Sequence, residues 1–267
     1  ADGKDDIAAL AAVVTRLPPG QAAELLGGVI AANVAQRPGA CAGLLARCLE
    51  TDNPHLIEAL PVLAKAWLEG QPDGRLASPS PLDYRDLPEA LTSTQLAEAV
   101  TALERIDAAL ASQAVARFLS LPRVYDPDRL LLPTALLLNE SVTDPEPVAT
   151  RTLRMAVLAH LEARIALPLE PPADWARPAA ISCNCADCRE LSRFLASPSE
   201  PTWHFKANEA QRRHVTDSIH RTQCDLDLAT NKRGRPFTLV CAKNLASFNR
   251  RVRQREGDLQ HRERLAG

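Results

Sequence analysis

The chain is short of aromatic residues, which make up 4% of its 267 positions. Whatever core it forms must therefore be mostly aliphatic. It lacks an uninterrupted apolar run of membrane-spanning length, so no membrane partner is expected. The opening stretch ADGKDDIAAL has no basic region followed by an apolar core, which excludes a secretory peptide there. No charge sign dominates, since the formal net charge is -2. G-x-G-x-x-G, P-loop and G-x-S-x-G elements are all missing. The usual marks of dinucleotide, nucleoside-triphosphate and serine-hydrolase chemistry are thus absent. H-E-x-x-H is also missing, as is H-x-E paired with P-C-x-x-C, so the common catalytic zinc patterns are not found. No sequence repeat of fixed period occurs.

What is present is uneven. Hydrophobic residues make up 46% and charged residues 24%, which suits a folded chain rather than a disordered one. Residues 1–180 carry 15 Lys/Arg against 23 Asp/Glu, whereas residues 181–267 carry 16 against 10. Five of the seven cysteines lie after residue 180. Cys183, Cys185 and Cys188 are too crowded to pair among themselves, which favours a reducing, intracellular compartment, cytoplasmic or nuclear. The chain starts without Met and enters a helical pattern almost at once, which reads as a piece of a longer protein.

The first part reads as helices. Asp5 or Asp6 opens one that stops near Leu17, before Pro18 and Pro19. A second carries Leu25, Leu26, Val29, Ile30 and Val34, and a third spans roughly 40–50. A fourth has Asn53 as N-cap, Pro54 at N1 and Gly70 as its stop, with Pro61 expected to bend it. Residues 71–92 read as an irregular connection. Thr92 and Gln95 match a capping box ahead of one long periodic helix over 93–120. A helix or short pair covers 127–138, and another helix covers 148–167. The prolines of 168–180 mark the best domain boundary. Beyond it, 187–196 and 209–221 read as short helices, the latter capped by Asn208, and 202–206 reads as a strand. LDLAT and PFTLVCA flank NKRGR as a hairpin. The expected fold is mainly α. An irregular helical array over 1–170, solenoid-like or a bundle, precedes a small zinc-stabilised α+β module over 181–248. A basic polar tail, either a solvated helix or disorder, fills 249–267.

The sharpest chemical feature is Cys183-x-Cys185-x2-Cys188, with His214 and Cys224 downstream. Zinc takes four thiolate or imidazole donors in a tetrahedron. The preferred quartet is Cys185, Cys188, His214 and Cys224, with Cys183 as the alternative ligand. A metal cross-link would explain how a module with so little apolar mass stays folded. Four available donors favour a closed, structural zinc over a catalytic one. Cys41, Cys48 and Cys241 read as core residues.

The strings CNCADCRELSRFLASP, HFKANEAQRRHV and GRPFTLVCAK carry a further signal. Through Cys185, Asp187, Cys188, Leu191, Phe194, Leu195, Pro198, Phe205, Arg213, His214, Cys224, Gly234, Pro236, Thr238, Leu239, Val240 and Lys243, residues 183–243 resemble a known region. It is the cysteine-rich C-terminal region of multidomain proteins that carry an upstream prolyl-hydroxylase-like iron(II)/2-oxoglutarate oxygenase domain. The resemblance implies an accessory role, positioning substrate beside an oxygenase domain absent from this chain. That oxygenase chemistry needs two histidines and a carboxylate around iron. No His-x-Asp occurs here. The nearest formal matches, His160-x-Glu162 and His261-x-Glu263, fall in a helix and in the polar tail.

Arg212, Arg213, Lys232, Arg233 and Arg235 form a candidate surface for phosphate or partner contacts, with Trp203, His204 and Phe205 as possible stacking residues. The leading expectation is a non-catalytic scaffold or protein-interaction region with a structural Zn2+, whose partner is a protein or another domain of the same polypeptide. Nucleic-acid binding through the basic zinc-containing domain is the alternative.

Overall fold

A computed structural model of the chain describes residues 16–50, 54–71, 90–141 and 144–267. The expected first helix from Asp5 or Asp6, its apolar positions through Val14, the Asn53 cap and most of the 71–92 connection lie outside the described residues. Two compact units result: residues 1–164 with 260–267, and residues 165–259.

The first unit is helical. Its described elements are α1 (Pro19–Asn33), α2 (Pro38–Leu49), α3 (Pro54–Glu69), α4 (Ser93–Ile106), α5 (Ala108–Ser120), a π-turn (Pro127–Leu131), α6 (Leu132–Glu140) and α7 (Val148–Ile165). The first three begin on a proline, whose fixed φ suits a helix start and whose missing N–H costs nothing there. Helices pack on their sequence neighbours and on the next-but-one: α1 on α3, α2 on α4, α4 on α6. This is the expected helical array. α3 continues through Pro61. Gly70 follows it, and a Cβ there would overlap the Val34 side chain, so the close approach requires glycine.

The long helix expected over 93–120 is two helices. Asp107 adopts an extended conformation, φ -160 and ψ 111, and its carboxylate accepts N–H bonds from Ala109 and Leu110. A competing N-cap inside a continuous apolar stripe stops one helix and starts the next. The stripe persists across the break, because Leu96, Val100, Leu103, Leu110, Ala114 and Phe118 are all buried.

The few aromatics are concentrated. Trp67 is fully buried, donates its indole N–H to the Pro38 carbonyl at 3.0 Å and meets Phe118 edge-on at 6.5 Å. Phe118 packs on Tyr125 at 4.6 Å, and the Tyr125 hydroxyl meets the Gln71 amide oxygen at 3.4 Å. One aromatic knot thus anchors an otherwise Leu/Ala core.

The second unit contains α8 (Ala186–Ala196), β1 (Thr202–Lys206), α9 (Glu209–Thr222), β2 (Leu226–Asn231) and β3 (Thr238–Lys243). The sheet is antiparallel in the order β1-β3-β2, with Trp203 opposite Cys241 and Leu228 opposite Cys241 on its other side. Alternation places Trp203, Phe205, Leu239 and Cys241 on the face that packs against Leu191, Phe194 and Leu195 of α8 and Val215 and Ile219 of α9. Trp203 and Phe205 are therefore core residues and offer no stacking surface. Of the three residues expected to stack, only His204 is exposed.

The proline-rich stretch 168–180 is not a free linker. The Trp175 and Arg177 amides donate to the carbonyls of Pro198 and Leu195, and the buried Arg177 guanidinium donates to the Asn244, Asp174 and Ala176 carbonyls. Prolines kept it out of helix and strand, but its remaining polar groups bind the module. The unit boundary therefore falls at residue 165. Of the two alternatives for the polar tail, the helix holds: it forms α10 (Ala246–Ala266). Arg251 and Arg255 donate to the Pro168 and Leu167 carbonyls within the second unit. The last turn belongs to the first unit, where Leu265 is buried and Arg264 pairs with Glu140 at 2.6 Å. Among the described residues, no helix is long and apolar enough to cross a membrane.

Candidate metal centre

The site is assembled where an extended segment turns into α8. Cys185 is the N-cap of that helix, with φ -66 and ψ 164, and its sulfur accepts the Cys188 N–H at 3.4 Å. An N-cap side chain and the N3 side chain lie at the same helix end, so the Cys-x-x-Cys spacing brings both sulfurs together. Cys183 precedes the cap by two residues, the spacing at which extended backbone presents side chains to one side. The fourth donor comes from α9, which starts at Asn208, whose side chain accepts the Gln211 N–H at 3.0 Å. His214 lies in the second turn of that helix.

His214 Nε2 is 3.4 Å from Cys183 Sγ, 3.4 Å from Cys185 Sγ and 3.3 Å from Cys188 Sγ. All four donor atoms lie within 4.8 Å of one another. A tetrahedral site with metal–sulfur bonds near 2.3 Å and a metal–nitrogen bond near 2.0–2.1 Å requires sulfur–nitrogen separations of about 3.6 Å. Three sulfurs equidistant from one imidazole nitrogen match that figure to within a few tenths of an ångström. The donor set fits a metal ion.

Neighbouring groups hold the donors. The Ser218 hydroxyl, one turn after His214, donates to the His214 carbonyl at 2.9 Å and lies 3.6 Å from Cys188 Sγ. Gln211, on the other side, donates its amide to Asp187 at 3.3 Å. Together they stitch α9 to the start of α8 around the donor cluster. Sequence reading passed over Gln211 and Ser218; their i-3 and i+4 spacings from His214 are the signals that point to them. The thiols differ in environment. The Cys188 N–H aimed at its sulfur pulls the exposed Cys185 thiol down to about 7, while burial pushes Cys188 up to about 11.

Cys224, preferred for the fourth position, is not in the cluster, and Cys183 stands in its place. The reason lies in the exit from α9. Gln223 is left-handed at φ 53, and the Cys224 N–H bonds back to the Ile219 carbonyl at 3.1 Å. That reversal packs Cys224 against the core beside Leu226 and Leu228, where burial raises its thiol pKa. Cys41, Cys48 and Cys241 are buried thiols, as their neighbours indicated. His160 bonds Asp128 at 3.1 Å. Among the described residues, no other group of three or more His, Cys, Asp or Glu side chains is gathered for a metal.

The basic residues separate into two kinds. Arg212 is structural: its guanidinium donates to the Ala207 carbonyl, reaches the Phe237 carbonyl at 3.3 Å and lies 5.4 Å over the Phe237 ring. Arg213, Lys232, Arg233 and Arg235 are exposed. Comparison of the chain with protein-family models, with curated proteins and with solved structures found no match, so the geometry itself carries the functional reading.

Proposed function

We propose that Cys183, Cys185, Cys188 and His214 hold one Zn2+ in a closed structural site, and that the chain is a non-catalytic scaffold or protein-interaction region. The carrying observation is the set of three sulfurs at 3.3–3.4 Å from one imidazole nitrogen. Three soft thiolates and an imidazole suit zinc, and four protein donors complete its tetrahedron, leaving no position for a reacting water. The metal would tie the segment before α8 to both helices of a unit whose buried core is only ten residues. The interaction role is supported by an open, mostly apolar groove of about 660 Å3 in the first unit. Ala108, Leu138, Pro145, Pro147 and Val148 line it beside Glu104 and Arg105. Such concave apolar surfaces are where partners seat their side chains.

Elemental analysis of the full chain, purified without added metal and under reducing conditions, should find one zinc per chain. A strong chelator should remove it and unfold the second unit. A metal-free chain that keeps its folding after chelation would sink the zinc reading. Cobalt substitution tests whether the site is closed: its tetrahedral ligand-field bands should not move on adding azide. A shift would expose an open coordination position and overturn the structural assignment.

A further inference from the structure

The four donors of the metal centre differ in exposure. Of the seven cysteines, Cys185 is the exposed one. Cys183 and Cys224 are half-buried, and Cys41, Cys48, Cys188 and Cys241 are buried. His214 is exposed as well. Four donors close the coordination sphere, yet its Cys185 edge faces solvent. Zinc holds cysteine as the thiolate, the form that oxidants attack. The most accessible sulfur of the chain is thus one that the metal keeps reactive.

A second sulfur stands beside it. The Cys188 N–H points at Cys185 Sγ at 3.4 Å, and the three sulfurs and His214 Nε2 all lie within 4.8 Å of one another. Cys185 is the N-cap of α8 and Cys188 its third residue. Across one helical turn their Cα atoms are about 5 Å apart, inside the range of about 4.4–6.8 Å that a disulfide spans. Cys183 reaches Cys185 along non-helical backbone. Two extended residues there span about 6.6 Å, at the upper edge of the same range. Cys188 is therefore the better placed of the two to pair with Cys185.

We propose that the metal centre is a modification site for hydroperoxides, which join Cys185 to Cys188 as a disulfide and release the zinc. The inference rests on the zinc reading above. Cys185 Sγ attacks one peroxide oxygen, the O–O bond breaks, and a sulfenic acid forms as hydroxide leaves. Cys188 Sγ then attacks the Cys185 sulfur, forming the S–S bond and expelling a second hydroxide. Both hydroxides take up protons, so two thiolates, one hydrogen peroxide and two protons give one disulfide and two waters. The sulfurs lose two electrons and the peroxide oxygens gain them. Cys183 and His214 alone do not complete a tetrahedron, so the metal leaves. The His214 helix, α9, then loses its coordination tie to the segment before α8. The Gln211–Asp187 bond and the packing of Val215 and Ile219 remain. A thiol reductant reverses the step by returning both thiols, and the site can reload.

The test treats the full chain, purified under reducing conditions and assayed for zinc, with hydrogen peroxide. Release is followed with a chromophoric chelator too weak to strip the untreated chain. One zinc per chain should be released, and the thermal midpoint should fall to that of the chain stripped by a strong chelator. Alkylation followed by peptide mass spectrometry should find Cys183 labelled, and Cys185 and Cys188 unlabelled and joined. Dithiothreitol with added zinc should restore both metal and midpoint. Cys224→Ser, which leaves all four donors in place, should release zinc at the parent's rate. Zinc retained through peroxide, a disulfide that includes Cys183, slowed release in Cys224→Ser, or a loss that dithiothreitol does not reverse would each overturn the proposal. A chain that carries no zinc before peroxide is added overturns the zinc reading itself, and the release step with it.

Discussion

Exchanging single cysteines separates the observed donor set from its nearest rival. In Cys183→Ser, a thiolate 3.4 Å from His214 Nε2 becomes a hydroxyl that does not replace it as a zinc ligand. Structural zinc sites contribute about 10–16 kcal/mol, so one of four donors accounts for about 3–4 kcal/mol, or a loss of ~10²- to 10³-fold in affinity. At fixed free zinc, the stability that zinc lends should fall by a similar 3–4 kcal/mol or so. Cys224→Ser is the counter-experiment. That half-buried thiol packs, like Leu226 and Leu228, against the core of the second unit, so its exchange should cost about 1 kcal/mol of folding stability and leave zinc affinity within a few-fold. Both variants can be titrated as full chains against a chromophoric zinc chelator at pH 7 under reducing conditions, with thermal unfolding followed in parallel. If Cys224→Ser loses the metal and Cys183→Ser keeps it, the ligand assignment is wrong.

Three further outcomes test the helical unit. Trp67→Ala empties a fully buried site and leaves the Pro38 carbonyl without its donor, so it should cost about 3–5 kcal/mol in urea unfolding; under 1 kcal/mol would contradict the aromatic anchor. Asp107→Ala removes the cap between α4 and α5 and should cost about 1 kcal/mol; an unchanged midpoint would mean that the helix break has another cause. Hydrogen bonds from Arg154 to both Glu146 oxygens hold that carboxyl below its ordinary 4.5. A group depressed in the folded state stabilises fully above its unfolded pKa, and the contribution is lost as pH falls through the folded value. Glu146→Gln should therefore flatten the acid limb of stability below pH ~4.5, and an unaltered limb would refute the role given to this pair.

Much of this was legible in the sequence, and the failures have physical causes. Pro54 and the Thr92–Gln95 box marked helix starts because local chemistry decides them. The period-two pattern of β3 identified its buried face for the same reason. Asp107 was missed because its neighbours keep a helical stripe, and only the cap geometry shows the break. The metal cluster was legible as a set of candidates, and three of the four preferred residues lie in it. The fourth depended on the left-handed turn at Gln223, a conformation that an ordinary glutamine does not announce. The 168–180 segment was misjudged because proline count reports what a chain cannot form, whereas Arg177 decides what it binds. Sequence grouped all the basic residues, and strand register and carbonyl contacts separated Lys232, Arg233 and Arg235 from Arg212, Arg251 and Arg255.

The central claim is a Cys3His zinc site closed by Cys183. X-ray absorption at the zinc edge of the purified full chain tests it most directly. The account predicts three sulfurs near 2.3 Å and one nitrogen near 2.0–2.1 Å, with no further light scatterer. A shell of two sulfurs with added oxygen, a shell of four sulfurs, or a chain that retains no zinc would each contradict it.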